Sequence, residues 1–341
     1  MNGGKSWKQL KAGLPTIAVR DIAIQRREND LVLASFGRGC YVLDDYTPLR
    51  NVKADVLEKP AHIFPIKEAL MYIEATPLGL RGKAFQGESY WTTPNPKVGA
   101  TFTYFVQDAT KTLKAQRQAR EKEAAKNGEA ITYPTFEEME AEDNEEDAYL
   151  IFTIKDSQGN VVRKLTAPAS AGLQRVTWDF RYPTTSPVSL SAQDLSNVFA
   201  SEDVGHLALP GTYSVEISQS VKGKITSMNA SANFVCKSLN QATMPPQDKA
   251  ALLAFQKKVS ELSRALVGAG RYYGELNNRM TYVKKAIKIT PDAPLGLMDD
   301  AKALELRMHK LTETMWGDGT RSSREFENPP SVADRVGITV Y

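Results

Sequence analysis

Along the chain, the spacing of apolar positions distinguishes three kinds of element. In the first fifty residues the apolar runs are short: Val19 to Ile24, then Leu31 to Ala34, then Cys40 to Leu43 after Phe36-Gly37-Arg38-Gly39 and before Asp44-Asp45. Runs of four to six β-branched, aliphatic and aromatic residues bounded by glycine and charge predict strands. A second β-type region follows. Thr101-Phe102-Thr103-Tyr104-Phe105-Val106 is one strand, and Tyr149 to Lys155 and Val161 to Leu165 flank the turn Asp156-Ser157-Gln158-Gly159-Asn160. In Gly172 to Tyr182 the residues Val176, Trp178 and Phe180 alternate onto one face, as in a half-buried strand. Leu209 to Ile217 and Ala230 to Cys236 complete a set of short strands that predicts a sandwich.

The period changes after Pro245-Pro246. Leu252, Phe255, Val259, Leu262, Leu266, Ala269, Tyr273, Leu276, Met280, Val283 and Ile287 recur at alternating steps of three and four, a heptad seam. It predicts one helix roughly 60 Å long, closed by Pro291 and Pro294. A second stripe, Leu297, Ala301, Leu304, Met308, Leu311 and Met315, predicts a shorter helix folded back against the first. The short connection directs it along the C-terminal half, leaving Leu252 to Leu262 uncovered as a candidate self-association surface.

Length and composition bound the functional classes. With 341 residues, the chain is expected to form two or three domains. Lys and Arg number 43 against 40 Asp and Glu, a net charge of +3, so no overall field favours nucleic acid or acidic membranes. Only Cys40 and Cys236 occur, which excludes a disulfide scaffold, and His62, His206 and His309 lack metal-motif spacing. No run is long and apolar enough for a membrane span, and MNGGKSWKQL is not a signal peptide. Residues 109–147 form a charged insertion, basic first and almost wholly acidic from Glu137 to Asp147. The basic half has no interleaved aromatics for base stacking, so a solvated helix followed by an acidic, mobile connection is expected.

Two motif sets carry a family resemblance. Asn2-Gly3-Gly4-Lys5-Ser6-Trp7 matches the latter part of the Asp-box, S/T-x-D/N-x-G-x-S/T-W/F, and Gly37-Arg38-Gly39-Cys40-Tyr41-Val42-Leu43-Asp44-Asp45 closes the unit. About forty residues with three short strands is the size of one blade. This resembles the last blade of bacterial sortilin-like Asp-box (BNR repeat) propellers, often labelled glycosyl hydrolases or sialidase-like. The ordered set of Asn95-Pro96 with Gly99-Ala100, the Asp156 to Arg163 turn, Ala171 to Tyr182 and Leu209 to Ile217 resembles the flagellar-hook-cap-type Ig-like module that follows that propeller. Pro329-Pro330-Ser331 and Arg335-Val336-Gly337 resemble the family's next segment, with no further helix expected before Tyr341.

The expected fold is therefore multidomain, β plus α: a partial β-propeller blade at 1–50, a linker with a strand at 51–93, an Ig-like β-sandwich at 94–240, and a C-terminal antiparallel helical hairpin and tail at 245–341. Both ends are expected to be truncated relative to the family. Structural motif residues are Asn2, Gly4, Ser6, Trp7, Gly37, Arg38, Gly39 and Trp178, the last as a core ring rather than a sugar platform. Asp44 and Asp45 are adjacent, so on a strand they point to opposite faces and cannot together flank one bond. They are expected to form a polar strand end. No catalytic, cofactor or metal residue is assigned. Two functions remain open: a non-catalytic interaction or scaffolding region of a secreted or periplasmic propeller protein, or the accessory region of a sialidase-superfamily glycoside hydrolase whose active site lies in missing blades. Expected partners are those blades, another protein, or a second copy through the helical seam.

Overall fold

The computed structural model describes the chain except residues 1–3, 6, 8, 10–12, 75–85, 90–91, 94, 192, 198–199, 201, 240–247, 295 and 341 and the side chains of 339–340. It is a mixed β and α protein of two compact units: residues 1–73, 91–180 and 210–239, and residues 74–90, 181–209 and 240–341.

The first unit opens with an antiparallel three-stranded meander, β1 (Val19–Gln25), β2 (Asp30–Ser35) and β3 (Cys40–Leu43), in that spatial order. Two one-turn helices follow, α1 (Thr47–Arg50) and α2 (Ala54–Leu57). The sandwich then begins earlier than the sequence suggests. The expected linker at 51–93 contains β4 (Ala61–Ile63) and β5 (Ala69–Met71), and Ala61, Ile63, Phe64 and Ala69 are all buried. Three-residue edge strands fall below the length at which periodicity is readable, so tertiary pairing alone defines them. After them come β6 (Ala100–Val106), the insertion helices α3 (Leu113–Asn127) and α4 (Phe136–Asp143), then β7 (Tyr149–Asp156), β8 (Val161–Pro168), β9 (Gly172–Trp178), β10 (Gly211–Val221) and β11 (Lys224–Ser238).

Two sheets result, a three-stranded one ordered β4-β6-β9 and a five-stranded one ordered β5-β11-β10-β7-β8. Phe102, Tyr104 and Val106 of β6 and Leu150, Phe152 and Ile154 of β7 are fully buried, each at every second position. Trp178 ends β9 fully buried, with edge contacts to Phe180, Tyr213 and Phe234 at centroid distances of 5.8, 5.2 and 6.1 Å. A ring enclosed in this way belongs to the core. Gly99 permits the close approach there: a Cβ would lie 2.2 Å from the Trp178 carbonyl oxygen, and φ is +154°. Cys236 fills a small buried site, and burial pushes its thiol up to about 12.

The insertion departs from the expected mobile connection. Its acidic half is helix α4, opened by a reciprocal capping box in which Thr135 and Glu138 satisfy each other's backbone amides. Arg117 of α3 forks onto Glu142 of α4, with Nε–Oε1 2.7 Å and the second contact 2.8 Å, and reaches Glu121 at 2.7 Å. The same pairing holds Glu142 below the ordinary carboxylate range and Arg117 above its usual value. Opposite charges that the sequence shows as two blocks are thus joined into one two-helix unit.

The second unit centres on α5 (Lys249–Ile289) and α6 (Gly296–Trp316), followed by α7 (Gly319–Ser322) and α8 (Val332–Val340). The α5–α6 pair is antiparallel: Lys284 meets Glu305 at 2.9 Å, while the Thr312 hydroxyl lies 2.7 Å from that of Tyr273. Farther along, the Trp316 ring covers Gly270 and contacts Tyr273 at a centroid distance of 5.4 Å. The half-buried stripe differs from the strict seam: Gly270 and Lys284 face the partner helix in place of Ala269 and Val283, and Val283 is exposed. A straight α-helix drifts about 20° per heptad relative to a 3.5-residue repeat, so strict seam positions rotate out of line. The N-terminal half is uncovered by α6, and Phe255 and Leu262 are each 51% exposed.

Helix α8 occupies the tail where no further helix was expected. Ser331 and Asp334 cap it reciprocally, the Ser331 amide donating to the Asp334 carboxylate (2.9 Å) and the Asp334 amide to the Ser331 hydroxyl (3.1 Å). It packs on both α5 and α6, with Val336 buried. Residues 181–209, expected within the sandwich, group instead with the helical unit.

Candidate interaction surface

The meander places apolar side chains on both of its faces. The register pairs Ile22 with Leu33 and Leu33 with Tyr41, and Ile24 with Leu31 and Leu31 with Leu43, so these six residues share one face. Ala23, Val32 and Val42 share the other, with Ala34 and Cys40 beside them. Strands that are apolar at consecutive positions are suited to cover on both sides. Here only Leu33 is buried; Ile22 is 59% and Val42 56% exposed.

One end of the meander is fixed to the sandwich by polar contacts. The Arg175 guanidinium of β9 donates to the carbonyls of Asp44 and Asp45, both at 2.6 Å. Lys67, just before β5, pairs with the Glu28 carboxylate and also donates to the Glu28 carbonyl at 3.3 Å; the Lys67 hydrogen bond holds the Glu28 carboxyl below its usual range. Neither contact was legible beforehand, because partners 131 and 39 positions apart leave no local signal. A cleft of about 540 Å³ at this junction is lined by residues that include Glu28, Asp30, Asp44, Asp45, Lys67 and Lys97.

Two carboxylates of that cleft, those of Asp30 and Asp45, serve the turn. Asp45 has φ +39°, its amide donates to the Asp30 carboxylate at 2.9 Å, and its own carboxylate accepts from the Thr47 amide at 3.1 Å. This is an Asx-type turn leading into α1. Among the described residues, no group of three or more His, Cys, Asp and Glu side chains is placed to hold a metal ion.

The motif residues are dispersed. Asn2 and Ser6 lie outside the described residues. Gly4 has φ +84°, and a Cβ there would lie 3.7 Å from the Trp7 ring. The Trp7 ring is otherwise open, at 88% exposure. Gly37 and Gly39, at φ +80° and +78°, shape the β2–β3 turn and leave Arg38 exposed between them. Trp178 stands apart from all of these in the sandwich core. Among the described residues, no helix is long and apolar enough to cross a membrane.

No protein-family model matches the chain, and no curated protein does. Among solved structures it is similar to dimeric latent PorU from Porphyromonas gingivalis, at 11% identity and a TM-score of 0.24, over 61% of this chain. The match spans 12% of that chain's length.

Proposed function

We propose that this chain is a non-catalytic interaction or scaffolding region of an extracytoplasmic Asp-box propeller protein, in which residues 1–50 act as a propeller blade, residues 94–240 as an Ig-like module and the C-terminal helices as a further assembly element. The observation that carries the reading is the meander, apolar on both faces and open on both, with Ile22 and Val42 more than half exposed. Such a sheet is completed by neighbouring sheets that cover its faces, and an exposed apolar area of this kind marks an interaction site. Extracytoplasmic placement rests on the Asp-box resemblance alone.

The reading is tested with the double variant Ile22→Lys/Val42→Lys. Self-association or detergent-dependent solubility of the parent chain, followed by light scattering, should fall, while the sandwich melts within about 0.5 kcal/mol of the parent because both positions are surface sites. A loss of several kcal/mol would mean that the meander faces are already core, and the proposal would fail. Aryl-sialosides and other aryl-glycosides should not be turned over. Enzyme-like turnover abolished by replacing one carboxylate would favour the glycoside-hydrolase alternative.

A further inference from the structure

In the helical unit, the described residues of the segment 181–209 are fastened to α5 around one imidazole. Arg181 and Leu207 form an isolated bridge, and the Tyr182 amide donates to the His206 carbonyl at 2.9 Å. Gly205 lets these strands close, since a Cβ there would sit 2.2 Å from the Tyr182 carbonyl oxygen. Across that ladder the His206 and Tyr182 rings stack nearly parallel, 4.4 Å between centroids and 19° between planes. His206 Nδ1 lies 3.1 Å from the Ser260 hydroxyl of α5, and Lys257, one turn earlier, holds its ammonium 5.1 Å over the Tyr182 ring. Farther along, Arg271 of α5 donates to the Val188 carbonyl at 3.0 Å.

His206 Nε2 is buried and, among the described residues, has no hydrogen-bond partner. A neutral imidazole can leave that nitrogen as a bare lone pair. The imidazolium must bury an N–H without an acceptor, which is costly, and must do so beside an existing cation. The charged groups around the ring give it no acceptor among the contacts described. Lys257 approaches from α5, Arg181 donates to the Gly205 carbonyl at 2.9 Å, and the Asp203 carboxylate accepts from the Thr184 hydroxyl.

We infer that His206 is an acid-released clasp: protonation of its imidazole frees residues 181–209 from helix α5. Burial, and secondarily Lys257, hold the imidazole below its ordinary value of 6.5. A group depressed in the closed state stabilises that state fully above the open-state value and progressively less below it. The clasp is therefore closed at pH 7.5 and loosens as pH falls through 6.5. At pH 5 the opening equilibrium can rise by at most about thirty-fold, the ratio set by an open-state imidazole of ordinary acidity.

Hydrogen exchange on the full chain at pH 7.5 and 5.0, corrected for intrinsic rates, tests this. Amides of 181–209 and of the N-terminal half of α5 should lose protection at pH 5 in the parent and keep it in His206→Gln, which does not titrate. Equal acid sensitivity in both would overturn the clasp. Should His206→Gln fail to fold, the imidazole titration of the parent by NMR decides: a midpoint below 6.5 supports the clasp, and one at or above 6.5 removes it.

Discussion

The meander and the sandwich are built from similar residues and reach opposite outcomes. In β2, Leu31-Val32-Leu33-Ala34 is as apolar as Leu150-Ile151-Phe152 in β7, yet only Leu33 of the former is buried, whereas Leu150 and Phe152 are fully enclosed. In β7 it is burial that alternates, with Leu150 and Phe152 enclosed and Ile151 half-buried, so one face is enclosed and a second sheet supplies its cover. The meander strands are apolar at successive positions, so two covers are needed, while the contacts holding it to the sandwich are polar ones at its rim, through Arg175 and Lys67. Hydrophobicity records how many faces a strand is made to bury; the surrounding elements decide how many it does bury.

The contrast is tested most strongly by truncating a ring on one side and an aliphatic residue on the other. Trp178→Ala should lower stability by about 3–5 kcal/mol, measured by chemical denaturation, through lost burial and a cavity. Val42→Ala should change it by no more than about 0.5 kcal/mol. Equal effects would break the comparison. Gly99→Ala should cost about 1–3 kcal/mol, because the added methyl meets the Trp178 carbonyl oxygen and the backbone must shift. A smaller but cleaner distinction comes from the thiols. Cys40 in the meander is exposed and should react with an aromatic disulfide in the folded state. Cys236 is buried and held protonated, with its value near 12, so it should react only on unfolding. Two fast equivalents would show that the sandwich is as open as the meander.

The smallest expected effect extends the comparison to the helices. Glu305 accepts from Lys284 at 2.9 Å and from Lys302 at 3.0 Å, and these hydrogen bonds lower it to about 2 from 4.5. A depressed carboxylate contributes above its unfolded value and loses that contribution as pH falls through the folded one, here between 4.5 and about 2. The melting temperature should therefore decline more over that window in the parent than in Glu305→Gln. Identical profiles would show that the pair contributes nothing to the hairpin, as many exposed pairs do.

Periodicity within single elements determined much of this protein. The strands around Phe102, Leu150 and Trp178, the turn at Asp156 to Asn160, the two long helices and the C-terminal-half docking of α6 all follow from local spacing, caps and a short connection. The cap pairs of α4 and α8 are equally local: Thr135 with Glu138 and Ser331 with Asp334 stand in plain sequence, without a long apolar stripe beside them. The rest was decided only by tertiary structure. The edge strands β4 and β5 are too short to have a period, and Arg175 with Asp44 and Asp45 joins residues that no local rule relates. The rotation by which the α5 stripe departs from a strict heptad, and the stacking of His206 on Tyr182, depend on which element arrives alongside. Local spacing fixes the face an element offers; three-dimensional packing fixes what meets it, because that choice depends on the summed burial and hydrogen bonding of segments far apart in the chain.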